Sequence, residues 1–110
     1  MKTKRSKACD ISLKVKQKVW ERDNHQCIIC GNSQAMPNAH FIPRSSGGLG
    51  IEENIVTLCL RCHHNYDQTS QRLYIYAYIM GYLQKCYGDK WNIKKLIYKK
   101  GENNGMVEKN

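Results

Sequence analysis

No apolar run in the 110-residue sequence approaches the roughly 20 residues that a membrane span requires. The N-terminal stretch MKTKRSKACDISLK also lacks the apolar segment of a secretory signal. We therefore expect a cytoplasmic protein with no membrane partner, in a compartment where disulfides are rare. The length fits one small domain, whose modest core needs a staple such as a bound metal.

Acidic residues are scarce, because 9 Asp and Glu stand against 18 Lys and Arg, which gives a formal charge of +9. A surface that only had to be soluble would carry a more balanced mixture of signs. The excess of positive charge predicts an anionic partner. Nucleic acid is favoured over lipid, since no basic amphipathic helix flanked by lipid-type anchors is present.

The sequence divides into three parts by charge and periodicity. Residues 1–9 are basic and poor in apolar side chains, so they are expected to form a flexible arm. Residues 10–100 carry the apolar periodicity and are expected to fold as one domain, whereas residues 101–110 are expected to be a disordered tail.

The middle part predicts a small α+β domain. A helix is predicted from Asp10 or Ser12 to about Arg22, because apolar residues recur there every four positions. Strands are predicted at NAHFIPRS and NIVTLC. Two further helices are predicted at CLRCHHNYDQ and at TSQRLYIYAYIMGYLQKCYG, the second ending at a glycine.

Four of the six cysteines form two C-x-x-C pairs, Cys27 with Cys30 and Cys59 with Cys62. Each pair can present two sulfurs to a tetrahedral ion, so that four thiolates would close the coordination sphere of a structural Zn²⁺. The binding energy of such a site contributes to folding. A redox use of either pair is the alternative, although a thioredoxin-like motif has a single C-x-x-C beside a parallel sheet.

The zinc site does not account for a second group of polar residues nearby. On the predicted helix, His63 and Asp67 lie at i and i+4 and hence on the same face, where they can hold one divalent ion. His40 lies on the preceding strand. Because the zinc site fastens this strand pair to the start of the helix, we expect His40 to face the helix across a narrow cleft.

The order of these residues resembles the HNH endonucleases of the phage and mobile-element type, in which four zinc-binding cysteines enclose a ββα-metal motif. That family pattern is C-x-x-C, a His followed by a Pro and a Gly-Gly loop, an Asn, and LC-x-x-CH. In this sequence the pattern runs through Cys27 and Cys30, His40, Pro43, Gly47 and Gly48, Asn54, and residues 58–63. The resemblance covers about residues 12–70 and implies metal-dependent hydrolysis of DNA.

The resemblance also implies a role for each matching residue. His40 would be the general base that activates water, Asn54 would fix the loop that orients it, and His63 would bind the catalytic ion. Asp67 stands where relatives often carry a second histidine, and its oxygen favours Mg²⁺ or Mn²⁺. Contacts to nucleic acid are expected from Arg44, Arg61 and His64.

One position departs from the family pattern. The residue before the general-base histidine usually supplies a metal ligand, but here it is Ala39. Either His63, Asp67, waters and substrate hold the ion, or Asn38 fills in, or catalysis is degraded and the protein is a zinc-stabilised nucleic-acid-binding module. The resemblance further implies either a phage context, with packaging (terminase) proteins as partners, or an invasive mobile element. Because one such site cuts one strand, a homodimer is left open.

Overall fold

The computed structural model describes residues 3–100. Its centre is a two-stranded antiparallel sheet of β1 (Ala35–His40) and β2 (Ile55–Cys59). The helices are α1 (Lys4–Cys9), α2 (Leu13–Arg22), α3 (Leu60–Gln68) and α4 (Arg72–Tyr87). The predicted α+β class is confirmed, and the predicted helices and the second strand are present. The first strand lies earlier than predicted, because it spans Ala35–His40 instead of residues 38–45, and Arg44–Ser46 form a short 3-10 helix. The tail expected to be disordered, residues 101–110, lies outside the described residues.

The pairing of β1 with β2 puts Cys59 and His40 at opposite ends of the hairpin. Ala35 pairs with Cys59 at one end and His40 pairs with Ile55 at the other, with an irregularity in between. All five residues of β2 are buried, as expected for the β-branched and apolar run IVTLC between two covered faces. The hairpin therefore places a cysteine of the zinc pair at one end and the candidate base at the other.

The outer edge of β2 is paired by side chains instead of a third strand. Arg22 donates to the carbonyl oxygen of Ile55 at 2.7 Å, and the Asp23 carboxylate accepts the amide hydrogen of Thr57 at 2.9 Å. The amide of Ile28 also donates to the carbonyl of Thr57 at 3.0 Å. The end of α2 and the first cysteine knuckle are thus joined directly to the strand that leads into α3.

The last helix closes the core. Ile75, Ile79 and Leu83 of α4 recur every four residues and are buried, which is the spacing that a packed helix face requires. The helix ends at Gly88, whose φ of 73° is readily adopted by glycine. Within residues 3–100, no helix is both long and apolar enough to cross a bilayer.

The N-terminal segment differs from its prediction. The sequence predicted a flexible arm over residues 1–9, whereas residues 4–9 form α1, with Thr3 as its N-cap. The Cys9 side chain is 2% exposed, and Gly50 donates its amide hydrogen to the carbonyl of Ala8 at 3.0 Å. Charge alone predicted the arm, but these contacts with a distant loop hold the segment in place.

Candidate active site and metal centre

The four cysteines of the two C-x-x-C pairs come together as one cluster. The sulfur atoms of Cys27, Cys30, Cys59 and Cys62 all lie within 4.8 Å of one another. At a Zn–S distance of about 2.3 Å, the edges of a tetrahedron of sulfurs measure about 3.8 Å, so the spacing fits a tetrahedral thiolate site. The cluster is therefore positioned to hold a metal ion, and the donor set is consistent with zinc.

Local structure explains why the sulfurs converge. Gly31 closes the first knuckle with a φ of 79°, a backbone angle that favours glycine. In the second knuckle Cys59 ends β2 and caps α3, accepting the amide hydrogen of Cys62 at its sulfur. The sulfurs of Cys30 and Cys59, from different pairs, are 3.5 Å apart. This cross-pair contact favours a shared metal over two separate redox dithiols.

A second polar site occupies a cleft of about 560 Å³ between the end of β1 and α3. Three residues predicted for the nuclease site, His40, His63 and Asp67, line it together. Its polar lining is Asn38, His40, Arg44, Ser45, His63, Asp67 and Arg72. The hairpin and α3 thus bring the candidate base and the candidate ligands of a catalytic ion into one cleft.

His40 is held in a defined protonation state. Its Nε2 lies 2.8 Å from the carbonyl oxygen of Cys9. Because a carbonyl only accepts, Nε2 carries the hydrogen, and the lone pair of the neutral ring is on Nδ1. Burial lowers the pKa of His40, the charges of Arg44 and His63 lower it further, and the contacts with Cys9 and Asp10 oppose this shift. The lowered pKa favours the neutral imidazole, whose lone pair is then on Nδ1.

His63 and Asp67 form a close pair on α3. The Nε2 atom of His63 lies 3.2 Å from a carboxylate oxygen of Asp67. Adjacent ligands of an octahedral ion with bonds of about 2.1 Å are about 3.0 Å apart, so the two atoms are spaced like two ligands of one ion. Among residues 3–100, the four cysteines are the only group of three or more His, Cys, Asp or Glu side chains close enough to hold one metal ion. The cleft thus offers two ligands of this kind.

Asn54 lies behind the cleft rather than in it. Its side chain is fully buried and accepts the amide hydrogen of Ile42 at 2.8 Å. It also donates to the carbonyl oxygens of Ile42 at 3.2 Å and Leu49 at 2.8 Å. These bonds join both sides of the loop that follows His40. The contacts suit the loop-fixing role expected for this residue.

Position 39 faces the core. Ala39 is 0% exposed and packs in the hydrophobic core, while its neighbours Asn38 and His40 line the cleft. Side chains of a strand alternate between its two faces, so residues 38 and 40 share a side. A small apolar residue at position 39 therefore suits its surroundings, and the polar group next to His40 in the cleft is the Asn38 amide.

The three predicted nucleic-acid contacts are in different places. Arg44 lines the cleft and pairs with Asp10 at 3.0 Å. Arg61 and His64 are exposed on α3 and do not line the cleft. Only Arg44 among the three is therefore placed to contact a phosphate bound between His40 and His63.

Arg72 is a cleft residue that the sequence did not predict. Its guanidinium lies over the ring of Tyr66 at 4.5 Å and donates to the carbonyl of the same residue at 3.0 Å. Tyr66 in turn donates its hydroxyl hydrogen, at 2.7 Å, to the carbonyl of Phe41, the residue that follows the candidate base. Among residues 3–100, no carboxylate pairs with Arg72. No sequence pattern signals this contact, because it depends on the turn between α3 and α4.

The hairpin and following helix, together with the cysteine cluster, define a small ββα domain with a site positioned to hold a metal ion. A sequence model described as HNH endonuclease matches residues 27–74, which contain both cysteine pairs and the cleft. The chain is also 30% identical over 66 residues to Anaredoxin from Nostoc sp. strain PCC 7120, a match that covers 59% of this chain and 87% of that protein. This chain belongs to the HNH endonuclease family.

Proposed function

We propose that the protein is a metal-dependent endonuclease that hydrolyses phosphodiester bonds of DNA. The observation that carries the proposal is the cleft, in which a neutral histidine with a free lone pair is collected with a His–Asp pair spaced like two metal ligands. The formal charge of +9 favours a polyanionic substrate. Membership in the HNH endonuclease family supports DNA as that substrate.

His40 acts as the general base in this proposal. Its Nδ1 lone pair takes a proton from the water that attacks the phosphorus, a contribution of about 10² to 10⁴ in rate for a positioned base. The imidazolium that forms keeps its Nε2 hydrogen bond to the Cys9 carbonyl, 2.8 Å away in the neutral state. A hydrogen bond from a charged donor is stronger than one from a neutral donor, so this contact stabilises the product of the proton transfer.

His63 and Asp67 would hold the catalytic ion, Mg²⁺ or Mn²⁺. When bound, such an ion stabilises charge on the phosphate and on the leaving 3′-oxygen. Two protein ligands are enough for a hard ion that keeps several waters and binds substrate phosphate. Asn54 contributes from outside the cleft, because its bonds to Ile42 and Leu49 fix the loop after His40.

Arg44 and Arg72 would bind the DNA backbone beside the scissile phosphate. Both line the cleft, Arg44 from the loop after β1 and Arg72 from the start of α4. Arginine presents several N–H donors in a plane, which suits the oxygens of a phosphate. Phosphate contacts of this kind fix the position of the strand without reading its sequence.

Nicking of supercoiled plasmid tests the proposal. The purified zinc-bound protein is incubated with Mg²⁺, with Mn²⁺ or with neither, and compared with His40→Ala and with His64→Ala. His64 is a matched control because it is an exposed histidine of α3 outside the cleft. We expect open-circle product only with a divalent ion, a loss of about 10² to 10⁴ in rate for His40→Ala, and near-normal rates for His64→Ala.

The products give further information. One site of this type cuts one strand, so linear plasmid would require a second cut, made by a dimer or by a later event. Equal loss of activity in both histidine variants would contradict the role of His40. Cleavage without any added divalent ion would contradict the role of His63 and Asp67.

A nucleic-acid-binding module without catalysis is the second candidate. The observation that favours it is the small number of metal ligands in the cleft, since Ala39 faces the core and only the pair of His63 and Asp67 would hold the ion. A pure binder would shift DNA in a salt-sensitive way and leave it intact under every ion. If the wild type and His40→Ala both bind and neither cuts, this second function replaces the first.

A further inference from the structure

The N-terminal segment, residues 3–10, lies before the region that matches the HNH endonuclease family, yet it contacts the cleft. The last carbonyl groups of a helix have no partner within that helix. In α1 the carbonyl of Ala8 accepts from the amide of Gly50 at 3.0 Å, and that of Cys9 accepts from Nε2 of His40 at 2.8 Å. Two carbonyls at the end of α1 that have no partner within the helix therefore accept hydrogen bonds from the loop and from the candidate base.

The segment is attached at two points of the loop that follows His40. A Cβ atom on Gly50 would lie 1.9 Å from the carbonyl oxygen of Asp10, so the backbones approach as closely as only glycine allows. Nearer the start of the same loop, Arg44 pairs with the Asp10 carboxylate at 3.0 Å, and Arg5 donates to the carbonyl of Ser45 at 3.0 Å. These contacts fix the position of the Cys9 carbonyl relative to the cleft.

We infer that the N-terminal segment is a positioning element of the active site, which holds His40 in its Nε2–H tautomer through the Cys9 carbonyl. A neutral imidazole can carry its hydrogen on either nitrogen, and the hydrogen bond made by one nitrogen decides which tautomer is present. With the hydrogen on Nε2, the Nδ1 lone pair is available for a water in the cleft. The inference rests on the proposed function for its catalytic meaning, but the tautomer can be measured separately.

The first measurement is the tautomer of His40 in the full-length zinc-bound protein. Nitrogen-15 chemical shifts of the imidazole distinguish a ring hydrogen on Nε2 from one on Nδ1, whether or not the protein cleaves DNA. We expect His40 to show a single Nε2–H tautomer. A hydrogen on Nδ1, or an averaged mixture of the two tautomers, would overturn the inference.

Two variants move the segment from different points without changing a residue of the cleft. Gly50→Ala places a methyl group against the Asp10 carbonyl, 1.9 Å away, and so pushes the segment from the loop. Lys7→Pro removes the hydrogen bond from the Lys7 amide to the Thr3 carbonyl, 3.0 Å long, and breaks α1 while leaving the loop intact. Gly81→Ala is the matched control, because a Cβ at Gly81 meets nothing within 4 Å.

Both disruptive variants should lose the fixed tautomer of His40, keep their bound zinc, and lose about 10²-fold in kcat with KM changed less than about threefold. Gly81→Ala should match the wild type in all these readouts. Loss of the tautomer with unchanged kcat in both variants would overturn the positioning role. If the wild type does not cut DNA, the proposed function fails, while the tautomers of wild type and variants still decide whether the segment positions His40.

Discussion

Arg72 is the cation of the cleft with the fewest competing interactions. Arg44 already faces the Asp10 carboxylate at 3.0 Å, whereas Arg72 is held by the ring and the carbonyl of Tyr66. Burial raises the pKa of Tyr66 to about 12, so its hydroxyl stays protonated and keeps its hydrogen bond to Phe41. The guanidinium is thus oriented in advance, and its positive charge is not neutralised by a carboxylate among residues 3–100.

We predict that Arg72→Ala weakens DNA binding more than Arg61→Ala does. A hydrogen bond to a charged group contributes about 1.5 to 3 kcal/mol, so the loss at Arg72 corresponds to roughly tenfold or more in Kd. Arg61 is exposed and outside the cleft, and its removal should change Kd by less than about threefold. Fluorescence anisotropy of labelled duplex DNA at several salt concentrations measures both, and equal effects would contradict the assignment.

The candidate site residues that the sequence predicted belong to a spaced pattern along the chain, whereas those that it did not predict depend on tertiary contacts. Cys27, Cys30, His40 and His63 are recognisable because their spacing along the chain repeats a known pattern. Arg72 was missed because its contact with Tyr66 forms only after α3 and α4 have packed. The Cys9 carbonyl could not be predicted at all, since a backbone group has no signature in the sequence.

At the scale of elements, the side chains of Arg22 and Asp23 at the end of α2 bond to the outer edge of β2, where a third strand would otherwise pair. Asp23 is 3% exposed and accepts four hydrogen bonds, which come from Arg22, Tyr82 and Thr57. The contact with Tyr82 is 2.6 Å long and joins α4 to the same carboxylate. One buried carboxylate thus connects α2, α4 and the strand that leads into the ligand-bearing helix.

Asp23→Ala should destabilise the domain strongly. It leaves the largely buried guanidinium of Arg22 without its carboxylate, and breaking a buried pair in this way costs about 3 to 5 kcal/mol of unfolding free energy. Glu21→Ala is the control, because Glu21 is an exposed carboxylate two residues before Asp23 whose pair with His25 should contribute about 0.5 kcal/mol or less. Urea denaturation of zinc-bound protein measures both, and a loss below about 1 kcal/mol for Asp23→Ala would contradict the edge-pairing role.

The elements themselves were more predictable than their connections. α2 follows from the Ser12 cap and its apolar spacing, and β2 from its run of β-branched residues, because both signals are local. α1 was missed since it has one buried residue, Cys9, and is held by contacts with the loop around Gly50. Such long-range contacts are not visible from charge and periodicity.

At the scale of the whole molecule, we expect stability to depend on a zinc ion bound by the four cysteines. A domain of this size has a net unfolding free energy of about 5 to 15 kcal/mol, whereas a structural zinc site contributes about 10 to 16 kcal/mol in small peptides. The cluster joins the first knuckle to the junction of β2 and α3, so its loss would release the helix that carries His63 and Asp67. Metal loss is therefore expected to remove both the fold and the catalytic cleft.

We predict that Cys30→Ser and Cys86→Ser have opposite outcomes. Both cysteines are exposed, so neither substitution creates a cavity, but only Cys30 belongs to the cluster. Cys30→Ser should abolish stoichiometric zinc and cooperative thermal unfolding, and Cys86→Ser should retain both. Elemental analysis and calorimetry measure the two properties. Full zinc content and an unchanged Tm in Cys30→Ser would contradict the four-cysteine site, because the Cys30 sulfur would then not be needed to bind the ion.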